Sequence, residues 1–191
     1  MARKAQPKRT VEDRMIDAAL GLAAEKPWAR VGLDDVAKAA EVSLADAYDA
    51  FGCRAALVAG LIRRHDKQML AGDDPSLEDE SRRDRLFDVI MRRLEGMKPH
   101  RKALKSMAMG APADAATIAL SGPQLIGSVQ WMLRAAGVPS DGALGAVRTA
   151  AVAAVYGQTL RAFMRDDSED LATTMAALDK ALKRAGRALG G

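Results

Sequence analysis

Apolar residues recur every three to four positions along almost the whole chain, a spacing that places them on one face of an α-helix. The first such face contains Ile16, Ala19, Leu20 and Ala23. Thr10 stands before it as a candidate N-cap, with Asp13 three residues further on, and Pro27 ends the segment. No segment shows the strict alternation of a half-buried strand. The pattern predicts an all-α protein whose first helix covers residues 11–24.

Two short helices joined by a tight turn are predicted next. A helix over residues 33–40 begins with acidic residues, where the helix dipole favours negative charge. Ser43 then caps a third helix over residues 44–51. A longer helix covers residues 54–70. The order is a helix, a helix-turn-helix pair and a long helix.

The run of Asp, Pro, Ser and Glu over residues 72–80 is typical of an exposed connection. We therefore expect a flexible basic arm over residues 1–10, one domain over residues 11–70 and a second domain over residues 81–189. Further helices are predicted over residues 82–97, 99–109, 113–136, 142–164 and 171–189, the third of them with a break at Gly122-Pro123.

Charge is unevenly distributed along the chain. The net charge is +4, yet residues 10–70 contain eight basic and ten acidic side chains. The basic side chains of the N-terminal arm are Arg3, Lys4, Lys8 and Arg9. A nucleic-acid partner would therefore meet positive charge mainly at the arm.

Cysteine and histidine usage argues against several classes of protein. Cys53 is the only cysteine, so an internal disulfide is excluded, and the reducing cytoplasm is the expected location. His65 and His100 have no partners at a spacing typical of a catalytic triad or metal site. We interpret both as surface or locally hydrogen-bonded residues. No enzyme activity, metal or cofactor is expected, and a redox-sensing role for Cys53 is a minor hypothesis.

Membrane insertion and export are not expected. The longest apolar region, residues 143–163, is rich in Ala and Gly and is interrupted by Arg148 and Arg161. It is typical of a buried helix rather than a membrane span. The amino end is basic and polar and lacks the apolar stretch of a secretory signal.

Residues 32–57, GLDDVAKAAEVSLADAYDAFGCRAAL, resemble the signature of the TetR family of transcriptional regulators. The residues on that family's core positions are Val36, Ala37, Ala40, Val42, Tyr48, Phe51 and Leu57. The resemblance implies a TetR-like fold, with an N-terminal three-helix helix-turn-helix domain followed by a C-terminal helical ligand-binding and dimerisation domain. It also implies a homodimer, most often a repressor, that binds double-stranded DNA and responds to a small hydrophobic ligand.

The third helix departs from what DNA binding usually requires. At 100° per residue, Ala47, Tyr48 and Phe51 share one arc, which leaves Asp46, Asp49 and Ala50 on the opposite, groove-facing side. That side offers no hydrogen-bond donor, and its two carboxylates repel the DNA backbone. A carboxylate can also accept a hydrogen bond from cytosine N4, so specific readout stays open. Arg54, at the start of the fourth helix, is expected to bind a phosphate. The candidate DNA-binding residues are Arg3, Lys4, Lys8, Arg9, Ser43, Leu44, Ala45, Asp46, Tyr48, Asp49 and Arg54.

A second resemblance covers the later part of the chain. Residues 99–104, 131–137, 148–156 and 165–168 look like the C-terminal domain of the lipid-binding accessory family of ubiquinone biosynthesis, which shares the TetR-like fold. The alternative function is therefore a lipid-binding accessory protein that has lost sequence-specific DNA binding. Flexible apolar side chains predict a hydrophobic or lipid cavity, with the core of the domain as the competing interpretation. The candidates are Met91, Met97, Met107, Met109, Trp131, Met132, Tyr156 and Phe163.

The last two helices carry candidate contact surfaces. Small residues of the helix over residues 142–164 allow a neighbour to approach closely: Gly145, Ala146, Ala150, Ala153, Ala154 and Gly157. The final helix has an apolar seam of Leu171, Met175, Leu178, Leu182, Ala185 and Leu189. We interpret this seam as a dimer or core face with a solvated basic back. Its alternative use is binding to an anionic membrane surface.

Overall fold

The computed structural model describes residues 9–72, 79–110 and 115–189. Within them the chain is all-α, as predicted. The helices are α1 (Val11–Glu25), α2 (Leu33–Ala39), α3 (Leu44–Ala50), α4 (Arg54–Ala71), α5 (Arg82–Met97), α6 (Arg101–Gly110), α7 (Ala115–Ala135), α8 (Gly142–Phe163) and α9 (Ala172–Leu189). Short 3₁₀ turns at Trp28–Arg30 and Lys98–His100 precede α2 and α6.

The predicted caps form where the sequence places them. The Asp13 backbone N–H donates to Thr10 Oγ1 at 3.1 Å, which satisfies one of the free donors at the start of α1. The Lys26 backbone N–H closes the other end of the helix on Leu22 O at 2.9 Å. Polar N-caps and the proline after the helix therefore fix its length.

The predicted break at Gly122-Pro123 is wrong, because α7 runs through both residues. A proline ring clashes with the Cβ of the residue before it, but Gly122 has no Cβ. This pairing removes that one clash and leaves the lost hydrogen bond and the contact of the ring with the carbonyl four residues earlier.

The chain forms two compact units. The first is made of the described residues of Met1–Leu61 and Lys102–Ser121, and the second of those of Ile62–Arg101 and Gly122–Gly191. The predicted domain ranges of 11–70 and 81–189 stay a prediction. The first unit is built around α1, whose apolar face is buried as expected at Ile16, Ala19, Leu20 and Ala23.

The second unit is centred on α5, α8 and α9, with α9 packed most extensively on α8. The seam of α9 is buried inside the chain at Leu171, Leu178 and Leu182. The core-face interpretation of this seam is therefore confirmed for those three residues. These three side chains are therefore not available to a membrane surface, whereas Met175 and Ala185 are half-buried and the Leu189 side chain lies outside the described residues.

A buried carboxylate fixes the start of α9. Asp166 accepts hydrogen bonds from the Thr174 backbone N–H at 2.7 Å and from Thr174 Oγ1 at 2.6 Å, and Ser168 also donates to it. Burial raises the pKa of Asp166, but these hydrogen bonds outweigh burial and hold the pKa well below its usual range.

Candidate functional site

The helix-turn-helix is held by local capping. The Asp46 backbone N–H donates to Ser43 Oγ at 3.0 Å, and the Ser43 hydroxyl donates to Asp46 Oδ2 at 2.7 Å. In the turn before this cap, Glu41 has a φ of 55°, and the Val42 N–H donates to Ala37 O at 3.0 Å. Ser43 is therefore the N-cap of α3, as predicted from the sequence.

Only one side of α3 is buried. Ala47 is 1 % exposed, and the C-cap residue Phe51 is 2 % exposed. Tyr48 is 72 % exposed, so its placement on the core arc is wrong. In a helix of seven residues a single position per turn faces the core, and a residue 100° away extends its long side chain into solvent.

The residues exposed along α3 define what we call the α3 outer face. Its members are Leu44, Ala45, Asp46, Tyr48 and Asp49. Tyr48 adds a phenolic hydroxyl, which both donates and accepts hydrogen bonds. The expectation that this side lacks a donor is therefore corrected.

Carboxylates still dominate the charge beside the α3 outer face. Asp46, Asp49 and Glu12 line a depression of about 440 Å³ beside the start of α1. Asp46 is engaged with Ser43, whereas no described residue donates to the Asp49 carboxylate. Of the two α3 carboxylates, Asp49 is thus the one more available to a partner.

Arg54, predicted to bind phosphate, also has an internal role. Its Nη1 donates to Trp28 O at 3.1 Å and to Val31 O at 3.0 Å, and its guanidinium lies 5.4 Å from the centre of the Trp28 ring. The start of α4 is thereby fastened to the loop between α1 and α2. A phosphate-binding role for Arg54 stays a prediction.

The basic arm is described only at its end. Arg9 is exposed and forms an ion pair with Asp17 at 3.1 Å. The other three basic residues of the arm, Arg3, Lys4 and Lys8, lie outside the described residues.

The predicted cavity residues are divided between the two units. Met91, Met97, Met132, Tyr156 and Phe163 are buried in the second unit, and Met107 is buried in the first. Met109 is 76 % exposed and Trp131 is 46 % exposed, so neither lies in the interior as predicted. Trp131 instead has the Arg134 guanidinium 5.1 Å from its ring centre.

A buried polar network in the second unit was missed by sequence reasoning. The Arg93 guanidinium binds Asp66, and its Nε donates to the Tyr156 hydroxyl oxygen at 3.0 Å. Ser128 Oγ donates to Asp66 at 2.5 Å. The sequence does hold one indication that Arg93 is buried. Arg93 lies on the apolar face of α5, at helical spacing from buried Ile90 and Met97.

His65 lies beside this network and is buried, so of the two alternatives, surface or locally hydrogen-bonded, it is the second. The local hydrogen bond is confirmed, with 3.3 Å between His65 Nδ1 and Gln68 Oε1. Burial, reinforced by the charge of Arg93, lowers the pKa of His65 to about 4. The ring is therefore neutral at physiological pH.

Within the described ranges 9–72, 79–110 and 115–189, none of the helices is both long and apolar enough to cross a membrane. Within the same ranges, His, Cys, Asp and Glu form no group of three or more suited to a metal ion. Cys53 is exposed, and its Sγ accepts from the Ala56 backbone N–H at 3.4 Å.

A buried apolar core beneath a capped, outward-facing short helix defines an all-helical protein of the helix-turn-helix class. No family model matches the sequence, and no curated protein matches it either. Solved structures do match. A TetR transcriptional regulator from Nitrosomonas europaea is 25 % identical, with 94 % of this chain and 99 % of that chain covered and a TM-score of 0.76.

Two further structures agree on the fold. A TetR transcriptional regulator from Rhodococcus sp. RHA1 is 25 % identical, with 90 % and 94 % of the two chains covered and a TM-score of 0.63. A protein from Syntrophomonas wolfei assigned to the same family is 13 % identical, with 95 % of both chains covered and a TM-score of 0.66, and this likeness concerns the fold alone. These likenesses support membership of the TetR family of transcriptional regulators. Nothing in the comparisons favours the ubiquinone accessory alternative.

Proposed function

We propose that this regulator binds operator DNA as a homodimer, with the α3 outer face in the major groove and the basic arm on the neighbouring backbone or groove. The observation that carries the proposal is the exposure of Tyr48, at 72 %, on a helix capped by Ser43. A helix that is anchored on one side and exposed on the other is what groove insertion requires. As a regulator of transcription, the protein would act in the cytoplasm.

Specific and non-specific contacts would come from different parts of the chain. Tyr48, Asp46 and Asp49 would contact base edges, because a phenol can donate and a carboxylate can accept from cytosine N4. The four basic residues of the arm, at positions 3, 4, 8 and 9, would supply phosphate contacts. The acidic α3 outer face would weaken binding to arbitrary sequences and so favour discrimination.

Dimerisation would use the α8 outer face, which we define as Leu144, Val147, Ala150 and Ala154. These residues are exposed, and Leu144 and Val147 are large apolar side chains that a partner would cover. Ala150 and Ala154 are small enough to allow close helix approach. Gly145, predicted to serve a neighbour, faces its own chain, since a Cβ there would meet Ser140 C at 2.2 Å.

A small hydrophobic effector would bind among the buried apolar side chains of the second unit. Met91, Met97 and Met132 are buried there with Phe163. Methionine side chains are flexible and can rearrange around a ligand. Binding would shift the population between DNA-binding and non-binding states, and a repressor would then release its operator. Native mass spectrometry of the purified protein, with lipid and small-molecule extraction, tests whether a ligand is carried.

Fluorescence anisotropy tests the DNA-binding function. Labelled duplexes would carry the region upstream of the protein's own gene or a shuffled sequence of the same composition, and both would be titrated at several salt concentrations. We expect tighter binding to the upstream region, with an affinity that falls as salt rises. Equal affinity for both duplexes at low salt would contradict the proposal.

A further inference from the structure

An open groove lies within the first unit, between the end of α1, the 3₁₀ turn Trp28–Arg30 and α6. Its volume is about 410 Å³, which lies within the range of small-molecule sites. All of its lining residues belong to the first unit and none to the buried methionine cluster of the second. It is therefore a different place from the effector cavity proposed above.

One part of the groove is apolar. Trp28 is 2 % exposed and lines it together with Ala24. Gly110 packs against the indole, since a Cβ there would stand 3.4 Å from Trp28 Cδ1. Met109, also a lining residue, is largely exposed. The apolar part of a ligand bound beside Trp28 would cover this methionine, whose flexible thioether adapts to different shapes.

The other part of the groove is basic. Lys102 and Lys105 lie one turn apart on α6, and both are exposed. No described residue forms an ion pair with either of them. Lys26 also lines the groove, but its ammonium is bound by Asp35 at 2.9 Å. Glu25 is the one carboxylate among the lining residues, so the two α6 lysines leave an excess of positive charge.

We propose that this groove binds a small organic acid, with its carboxylate between Lys102 and Lys105 and its apolar body against Ala24 and Met109, beside the buried Trp28. A carboxylate suits this place because it is ionised at neutral pH and accepts charge-assisted hydrogen bonds from ammonium groups. An aromatic or aliphatic body suits the other end, where the lining is indole, alanine and thioether.

The groove is connected to the start of α4. Ser106 Oγ of α6 accepts from the Trp28 backbone N–H at 3.0 Å, while Trp28 O accepts from Arg54 Nη1 at 3.1 Å. A ligand in the groove would therefore contact the segment that holds Arg54, the predicted phosphate ligand. Binding of the acid would then change the protein's affinity for DNA, and binding of DNA its affinity for the acid. This consequence rests on the proposed DNA-binding function.

Tryptophan fluorescence tests the site with a simple probe. The chain has two tryptophans, so Trp131→Phe leaves Trp28 as the single reporter. We expect a saturable change in Trp28 emission with 4-phenylbutyrate and at least roughly tenfold weaker binding of 4-phenylbutanol, which has the same body without the charge. Calorimetry on the unmodified chain repeats the comparison without a tryptophan replacement.

Two sets of variants separate this groove from other apolar sites. Lys102→Gln with Lys105→Gln is expected to weaken 4-phenylbutyrate binding about tenfold, the scale of one lost charge-assisted hydrogen bond. The control Lys180→Gln, an exposed lysine of α9, should leave it unchanged. Ala24→Phe fills the groove and should abolish binding while circular dichroism stays that of the parent.

Three outcomes overturn the proposal. They are the absence of a saturable response to 4-phenylbutyrate, equal affinity for the acid and the alcohol, and undiminished binding by the lysine double variant. The lysine variants are surface changes and keep the test valid even where Ala24→Phe fails to fold. DNA binding without ligand is measured separately, so failure here leaves the DNA-binding proposal standing.

Discussion

Asp49 lies on the α3 outer face, and no described residue donates to its carboxylate. Replacing it by Asn removes one negative charge and keeps the shape of the side chain. We expect Asp49→Asn to bind shuffled DNA several-fold more tightly at low salt, because the repulsion between carboxylate and phosphate is lost. Anisotropy titrations on the shuffled duplex measure this.

The matched control for Asp49→Asn is Glu95→Gln, which changes the net charge equally at an exposed position of α5. It should alter DNA affinity little, since its charge lies on another element. Equal tightening by both variants would mean that total charge rather than the α3 outer face governs binding.

His65 gives the protein a pH-dependent stability. Its folded-state pKa is about 4, below the usual value of 6.5, so the unfolded chain binds more protons between these two values. The neutral ring therefore makes its full contribution to the free energy of unfolding above about pH 6.5. This contribution is lost as the pH falls toward 4. Complete loss corresponds to about 3 kcal/mol of unfolding free energy.

The variant His65→Asn tests this effect, because Asn keeps a group near Nδ1 for Gln68 but does not titrate. Urea unfolding should show the parent losing stability relative to the variant between pH 6.5 and 4. Asp166 titrates below this window, since its pKa is well under the usual range. Parallel curves for parent and variant would rule out the assigned role of His65.

At the scale of elements, the Ser43 cap stabilises α3, the helix proposed to contact DNA. We expect Ser43→Ala to lower stability by about 1 kcal/mol, the usual cost of losing an N-cap. DNA affinity should fall as well, since α3 has only seven residues and depends on its cap. Thermal denaturation and anisotropy together measure the two effects.

Ser81→Ala is the matched control, because Ser81 caps α5 in the same way, accepting from the Asp84 N–H at 3.2 Å. It should cost similar stability without lowering DNA affinity. If the two variants weakened DNA binding equally, the loss would reflect stability in general rather than the α3 cap.

Helical periodicity and caps predicted the elements well, because both depend on residues close in sequence. The rotation of 100° per residue in an α-helix predicted the burial of Ala47 and Phe51 correctly, but it did not predict the exposure of Tyr48. A two-turn helix has too few positions for the rule to separate a core arc from an exposed one. Pro123 was misjudged because the effect of a proline depends on its predecessor, here Gly122.

Long-range polar contacts were beyond the reach of these rules. Asp66 pairs with Arg93 across 27 positions of sequence, and Arg93 bonds Tyr156 across 63. A charged residue in a helical pattern is normally assigned to the surface. Only the packing of α4, α5, α7 and α8 residues brings their partners together. The groove between α1 and α6 was missed for the same reason, since its walls are distant in sequence.

At the scale of the whole molecule, the exposed apolar residues of α8 predict an oligomer. We expect Val147→Glu to shift the protein from dimer to monomer, because a charge without a partner would be buried in the interface. Light scattering after size exclusion measures the mass directly. Ile118→Glu, the same kind of change at another exposed apolar position, should leave the dimer intact. A dimer that survives Val147→Glu would place the interface elsewhere.

If sequence discrimination arises on the α3 outer face, Tyr48→Ala should reduce it. The measurement is the ratio of affinities for the upstream and shuffled duplexes, in the parent and in the variant. We expect this ratio to fall by roughly tenfold, the scale of one lost base contact, while salt-dependent binding to shuffled DNA persists. An unchanged ratio in Tyr48→Ala would mean that discrimination does not arise from Tyr48 on the α3 outer face.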